Sequence, residues 1–193
     1  MSIITVLTED SRITIDCFRP ATAVLEALTD ADQPHSQPEP RGVDGVAVPR
    51  FTKVRSDGAL IAAGDSRTDH VAVIDHTTGL MWSIESLGDP ADADDGITQE
   101  RCIERCQELR LLDHEDWRLP TRAELAGLID DTRHEPAIDT EFFPRVKSRW
   151  HWTSTPAAWS SASAWYVDFD DGYVYYLRRY CNGFALAVRR AGQ

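Results

Sequence analysis

The order of elements in this sequence predicts an α+β domain. Two stretches with helical spacing, about 98–111 and 121–129, lie side by side in the middle of the chain. Runs with strand character stand on either side of them, 51–83 before and 150–190 after. Helices inserted between two sets of strands do not make repeating βαβ units, so short antiparallel or mixed strands packed by two helices are expected.

Residues 1–28 read as a small β/α extension. Ile3 to Leu7 and Arg12 to Phe18 are strand candidates, the second with Ile13, Ile15 and Cys17 on alternate positions. Thr8 to Ser11 supply the turn, and Pro20 suits the first turn of a short helix carrying Val24, Leu25 and Leu28. Residues 29–50 hold prolines at 34, 38, 40 and 49 among polar residues, as a linker or surface loop does. The main domain is then 51–193.

Within it, Phe51 to Val54 and Ala59 to Ala63 flank the turn signal Ser56-Asp57-Gly58. Val71 to Ile74 is an apolar run that suits a buried strand, and Thr78-Gly79 turns the chain into Leu80 to Trp82. Residues 88–96 form an acidic loop. The first helix is expected from Thr98 to Leu111, with Cys102, Ile103, Cys106 and Leu109 on one stripe. Thr121 and Glu124 have the spacing of a capping box at the start of the second, whose buried face holds Leu125, Leu128 and Ile129. Residues 134–149 read as irregular. Four strands close the domain: Trp150 to Ser154, Ala164 to Phe169, Tyr173 to Leu177 and Ala185 to Arg190.

The chain of 193 residues has a formal net charge of −12, which repels phosphate backbones and anionic membrane surfaces at long range. Direct nucleic-acid binding is therefore not expected. No apolar run reaches the roughly 18–20 residues of a membrane span, and no basic region precedes the first apolar stretch. As written, the expectation is a cytoplasmic protein, or one assembled into a virion or exported by a leaderless route. Cys102 and Cys106 have no nearby histidines, so they read as buried or free thiols rather than zinc ligands. Asp89, Asp92, Asp94 and Asp95 lack the ordered spacing of a calcium loop. No metal and no cofactor are expected.

A family resemblance lies in an ordered series of motifs. Asp75-His76-Thr77-Thr78-Gly79-Leu80-Met81-Trp82 opens it, and Cys106 followed by Asp116-Trp117-Arg118-Leu119-Pro120-Thr121-Arg122-Ala123-Glu124-Leu125 forms its centre. Trp152-Thr153-Ser154-Thr155, Ala164 to Phe169 with Gly172, and Val188-Arg189-Arg190 complete it. The series resembles the Lcl-type C-terminal domain family, named for the C-terminal domain of a bacterial collagen-like adhesin, over residues 75–190. The resemblance implies a C-type-lectin-like fold, similar to the formylglycine-generating-enzyme superfamily. Residues 1–50 have no counterpart in it. The motif residues have structural readings first: Trp82, Trp117 and Trp165 as core aromatics, Arg118 as the partner of a buried carboxylate.

No catalytic constellation is legible. The six histidines show no metal-ligand spacing, and there is no Gly-x-Ser-x-Gly elbow or phosphate loop. Cys181 is the only cysteine near the C-terminal strands and lacks a nameable partner. An enzyme of the related superfamily stands as the lesser alternative to a non-enzymatic binding protein.

The residues that point to function are the tyrosines. All five lie between 166 and 180. Tyr166, Tyr173, Tyr175, Tyr176 and Tyr180 are interleaved with Asp168, Asp170, Asp171, Arg178 and Asn182, and Phe184 follows. Trp165, Val167 and Phe169 are expected to face the core while Tyr166 and Asp168 face out. Large aromatic contact area among short polar groups is the composition of a paratope, so these eleven residues form the expected ligand-binding surface. The ligand is a protein or a glycan of unknown identity. The same pattern resembles variable proteins diversified by retroelements, in which such positions, here also Cys181 and Gly183, are sampled on a fixed frame. A fixed glycan-binding lectin, or a virion or adhesin component that residues 1–50 attach or homo-oligomerise, are the alternatives.

Overall fold

The computed structural model describes residues 3–8, 11–16 and 49–192. The chain divides into two units, Met1–Gly45 and Val46–Gln193. In the first, strands β1 (Ile3–Thr8) and β2 (Ser11–Asp16) pair antiparallel, with Ile4 opposite Ile15 and Val6 opposite Ile13. This is the hairpin that the alternating apolar residues predict. The expected short helix and the linker lie outside the described residues.

The second unit is α+β. Strands β3 (Phe51–Arg55), β4 (His70–Asp75), β5 (Leu80–Ser83) and β9 (Val188–Arg190) form a four-stranded antiparallel sheet in the order β3-β4-β5-β9. Strands β6 (Trp150–Ala157), β7 (Ser160–Asp168) and β8 (Val174–Arg178) form a second antiparallel sheet in sequential order. Helices α1 (Gln99–Glu108) and α2 (Arg122–Ala126) lie between the two sheets in sequence. Residues 59–63, expected as a strand, give one isolated bridge from Leu60 to Val54 instead. The tight turn returns the chain to β3 by Arg55 N–H to the Ala59 carbonyl and Ile61 N–H to that of Lys53, after which the prediction has no further partner to pair with.

The four-stranded sheet is covered on both faces. On β4 and β5, Val73, Leu80 and Trp82 enter one apolar cluster, while Ala72 and Met81 enter the other. This explains the continuous apolar run where a half-exposed strand would alternate. The first cluster takes Leu125 and Leu128 from around α2, with Val167, Phe169, Leu186 and Val188. The second takes Cys102 and Cys106 from α1, with Trp117, Leu119 and Trp152. Each such aliphatic side chain removed from water contributes about 1.5–3 kcal/mol before entropy is set against it.

Both helices start as their sequences predict. Thr98 accepts from the Arg101 N–H at α1. At α2 the capping box is complete: Thr121 Oγ1 accepts from the Glu124 N–H, and Glu124 Oε2 accepts from the Thr121 N–H at 2.7 Å. The motifs of the resemblance also touch one another. Arg118 and Val188 exchange two backbone hydrogen bonds of 2.9 Å, and Asp116 accepts at 2.6 Å from Nε of the buried Arg189. Arg118 itself grips Glu124 with both terminal nitrogens, at 2.7 and 2.9 Å. Its partner is thus the capping carboxylate, which is only partly buried. Ser154 donates twice to the Pro120 carbonyl. The segment 116–125 therefore ties the end of the chain to β6.

Trp82 and Trp117 are core aromatics, each 1% exposed. Trp165 corrects the expectation: it is half-buried, because Arg122 on α2 covers its ring from 4.3 Å rather than a core residue.

Candidate functional site

Two ladders place the tyrosines. β6 sets Trp150 opposite Asp168 and Trp152 opposite Tyr166, while β8 sets Tyr175 opposite Tyr166 and Tyr176 opposite Trp165. The hairpin between β7 and β8 closes with Asp168 N–H donating to the Tyr173 carbonyl. Alternation then puts Trp150, Trp152, Tyr166, Asp168, Tyr173 and Tyr175 on one face. The indole of Trp150 meets the Tyr166 ring edge to face at 5.4 Å, and that of Trp152 does so at 6.3 Å. Trp152 is buried, Tyr166 and Trp150 are half-buried, and Tyr173 and Tyr175 are exposed. The face grades from core to solvent across the width of the sheet.

Gly172 makes the tight hairpin possible. Its φ of 79° is a conformation that side chains disfavour, and a Cβ there would meet Ile129 Cγ2 at 3.1 Å. Asp171 closes the same turn by accepting from the Tyr173 N–H.

Beside this face lies a groove of about 540 Å³ lined by the 94–96 loop, Ser148, Arg149, Trp150, Asp168, Asp170, Asn182 and Phe184. Its walls are pinned together. Trp150 Nε1 donates to the Asn182 carbonyl at 2.6 Å, Ser148 Oγ to Asp170 at 2.7 Å, and Lys147 Nζ to Asp94 at 2.6 Å. Gly183 and Ile97 exchange two backbone hydrogen bonds behind it. Burial raises the Asp168 carboxyl above the usual range, and the nearby Asp171 and Asp170 push the same way, against a hydrogen bond from the Asp170 N–H. Burial also raises the Tyr166 phenol, followed by the charges of Asp168 and Asp171. The groove thus pairs aromatic surface with acceptors that lack full solvation.

Of the eleven residues expected from the sequence, Tyr166, Asp168, Asp170, Tyr173, Tyr175 and Asn182 fall on this face or in this groove, and Asp171 stands at its turn. Arg178 alternates with Tyr175 and faces the other way, whereas the Tyr176 ring stacks on that of Tyr175 at 4.7 Å, which carries the tyrosine surface round the edge of β8. Tyr176 also packs edge to face on the exposed Trp159 at 4.9 Å and on Trp165 at 5.9 Å. Tyr180 is the most exposed tyrosine and lies apart, next to Arg179 and the start of α1. Phe184 also lines the groove but is only 4% exposed, because its backbone pairs with Trp150 and Trp152; its ring lies 5.9 Å from that of His151, and Lys147 Nζ stands over it at 5.6 Å. Gly183 is likewise fixed: a Cβ would lie 2.7 Å from Trp150 Cδ1 and 3.0 Å from Trp152 Nε1. Sequence reading missed Trp150 and Trp159. The Trp150-His151-Trp152 spacing was the available signal, since two indoles on one face of a strand need a common neighbour.

Three candidate nucleophiles, Cys102, Cys106 and Ser86, are buried. Burial pushes both helix thiols up, that of Cys106 to about 12, so neither is a thiolate at neutral pH. Ser86 Oγ and His151 Nε2 are 2.7 Å apart, but both residues are buried. His151 Nδ1 donates to the Arg149 carbonyl at 2.8 Å, which leaves Nε2 to accept from Ser86. Burial lowers this imidazole to about 4, so it is a neutral structural pin. No group of three or more His, Cys, Asp or Glu side chains among the described residues has metal-binding geometry. No helix among them is long and apolar enough to cross a membrane.

The chain belongs to the Lcl C-terminal domain family, whose model matches residues 71–189. No curated protein matches the chain.

Proposed function

We propose that this member of the Lcl C-terminal domain family is a non-enzymatic binding protein of adhesin or receptor type. It would hold a protein ligand on the face of Trp150, Tyr166, Tyr173 and Tyr175 and in the adjoining groove of Asp168, Asp170 and Asn182. The scaffold is read as C-type-lectin-like. One observation carries the proposal: the exposed Tyr173 and Tyr175 stand in register with Asp168 and Tyr166, and the Tyr166 ring packs on Trp150 at the border of a polar groove. Aromatic anchors with adaptable polar neighbours supply contact area at low entropic cost. A protein is favoured over a glycan because the aromatic surface spreads over three strands rather than forming one ring-sized platform.

The test is a screen of the full chain against immobilised panels of proteins and glycans, followed by the Tyr173→Ala, Tyr175→Ala double variant. Binding to a protein should be lost with the melting temperature unchanged, because both side chains are exposed. Retained binding, or a large fall in melting temperature, refutes the assignment.

Diversification by a retroelement is a second reading, supported by the burial pattern. Tyr173, Tyr175, Tyr180, Asp170, Asp171 and Asn182 are exposed above a buried frame of Val167, Phe169 and 183–189. Exchanging them leaves the core untouched. Gly183 and Phe184 belong to the frame and are withdrawn from the sampled set. A template repeat with adenines at the exposed codons, beside a reverse transcriptase gene, supports this reading; a locus with neither removes it.

A further inference from the structure

β8 pairs with β7 on one side, and no strand among the described residues pairs with its other side. The bond from the Asp168 N–H to the Tyr173 carbonyl and that from the Arg179 N–H to the Ala162 carbonyl fix the phase of the ladder. Tyr173, Tyr175, Leu177 and Arg179 turn their backbone groups toward β7, so Val174, Tyr176 and Arg178 turn theirs outward. The Arg178 carbonyl accepts from the Cys181 N–H at 2.9 Å. The N–H and C=O of Val174 and Tyr176 meet no strand here, and the Tyr175 and Tyr176 rings stack at 4.7 Å across this edge. The opposite edge of this sheet is covered, since Trp152 donates to the Phe184 carbonyl and Phe184 to that of Trp150.

The charges along this edge are self-complementary. The segment runs Asp170-Asp171-Gly172-Tyr173-Val174-Tyr175-Tyr176-Leu177-Arg178-Arg179, acidic at one end and basic at the other. Antiparallel pairing with an identical segment sets each acidic end against a basic end, whereas parallel pairing sets like against like. An open edge normally carries charge within it or a proline to block pairing, and Val174 to Leu177 carries neither.

We propose that two copies of this chain pair through β8, antiparallel about a two-fold axis at Tyr175. Val174 of each copy then exchanges two hydrogen bonds with Tyr176 of the other, using only unpaired backbone groups, and the stacked Tyr175 and Tyr176 rings turn off the edge to admit the second strand. Arg178 comes opposite Gly172 and Arg179 opposite Asp171 of the second copy; the exposed Arg178 is the one that reaches Asp170 and Asp171, while the Arg179 guanidinium stays on Gln99 at 2.6 Å. The three-stranded sheets merge into one of six strands, and Tyr175 faces its own copy. The tyrosine faces become one stripe crossing the axis, so the dimer presents two equivalent binding faces. So short a strand pair predicts a weak dimer, well below the size of a standard interface. Pairing needs no knowledge of what the tyrosines bind.

Sedimentation equilibrium of the full chain across a wide concentration range tests this. The expected result is a monomer–dimer equilibrium that weakens with salt. Val174→Pro and Tyr176→Pro remove outward N–H groups and leave the β7 ladder intact, so each should weaken the dimer about tenfold or more with circular dichroism preserved. Arg178→Glu and Asp171→Lys should each abolish self-pairing, yet a mixture of the two should form heterodimers. A wild-type chain that stays monomeric up to about millimolar concentration overturns the proposal. So does a dimer that both proline variants leave unchanged, or a charge mixture that fails to associate.

Discussion

Acidification should unfold this protein through an imidazole before it does so through a carboxylate. His151 is fully buried and makes two hydrogen bonds that suit only its neutral form. Burial lowers its pKa from 6.5 to about 4, opposed by the hydrogen bond to the Arg149 carbonyl. The unfolded chain takes up this proton near 6.5 and the folded chain only near 4. Stability is therefore full above 6.5 and falls as the pH drops from there to about 4. At about 1.4 kcal/mol for each decade of difference, the loss approaches about 3 kcal/mol. Burial also lowers His70, which adds in the same direction. Glu124 acts in another window: the Arg118 hydrogen bonds hold it near 2 against an ordinary 4.5, so its contribution is lost only below 4.5. Urea unfolding at stepped pH measures the slope. His151→Gln keeps one donor and one acceptor but does not titrate, so its stability should change much less between pH 6.5 and 4.5. Equal slopes in the two proteins would refute the assignment, as would a His151 imidazole resonance that titrates near 6.5 in the folded state.

Two further perturbations probe the groove and the motif that supports it. Gly183→Ala forces a methyl into the indoles of Trp150 and Trp152 and should cost about 1–3 kcal/mol in urea unfolding, with a change in tryptophan fluorescence; an unperturbed protein would return position 183 to the exchangeable set. Glu124→Gln keeps the cap acceptor but loses the charge on Arg118, for an expected cost of about 1–2 kcal/mol near neutral pH. That cost should shrink as the pH falls from 4.5 toward 2, and a cost independent of pH would show that the ion pair contributes nothing.

Local chemistry made much of the fold legible. The hairpin, the capping box at Thr121 and the paired cysteines on α1 are each set by residues within a turn or two of one another, and each stands where the sequence placed it. Residues 59–63 failed because strand propensity needs a neighbour, and that stretch meets β3 at Leu60 alone. The tyrosine surface was half legible. Alternation correctly separated Tyr166 and Asp168 from Val167 and Phe169, but it said nothing of what covers each side. Trp165 shares a face with Val167, yet the core ends between them and α2 offers Arg122 instead.

Phe184 shows the deeper limit. Composition alone groups it with the exposed aromatics, since it follows Tyr180, Cys181 and Asn182 without a break. Its burial comes from a parallel bridge to His151, 33 positions earlier in the chain, and from hydrogen bonds to both flanking tryptophans. The same bridge sets Gly183 under the indole of Trp150 and so aims that indole at Tyr166 and the groove. The frame and the binding face are thus not separate layers. The groove keeps its shape because the segment that ends the exposed stretch is locked into the core. A protein that tolerates change at Tyr173 or Asn182 should for that reason be intolerant of change one and two positions beyond Asn182.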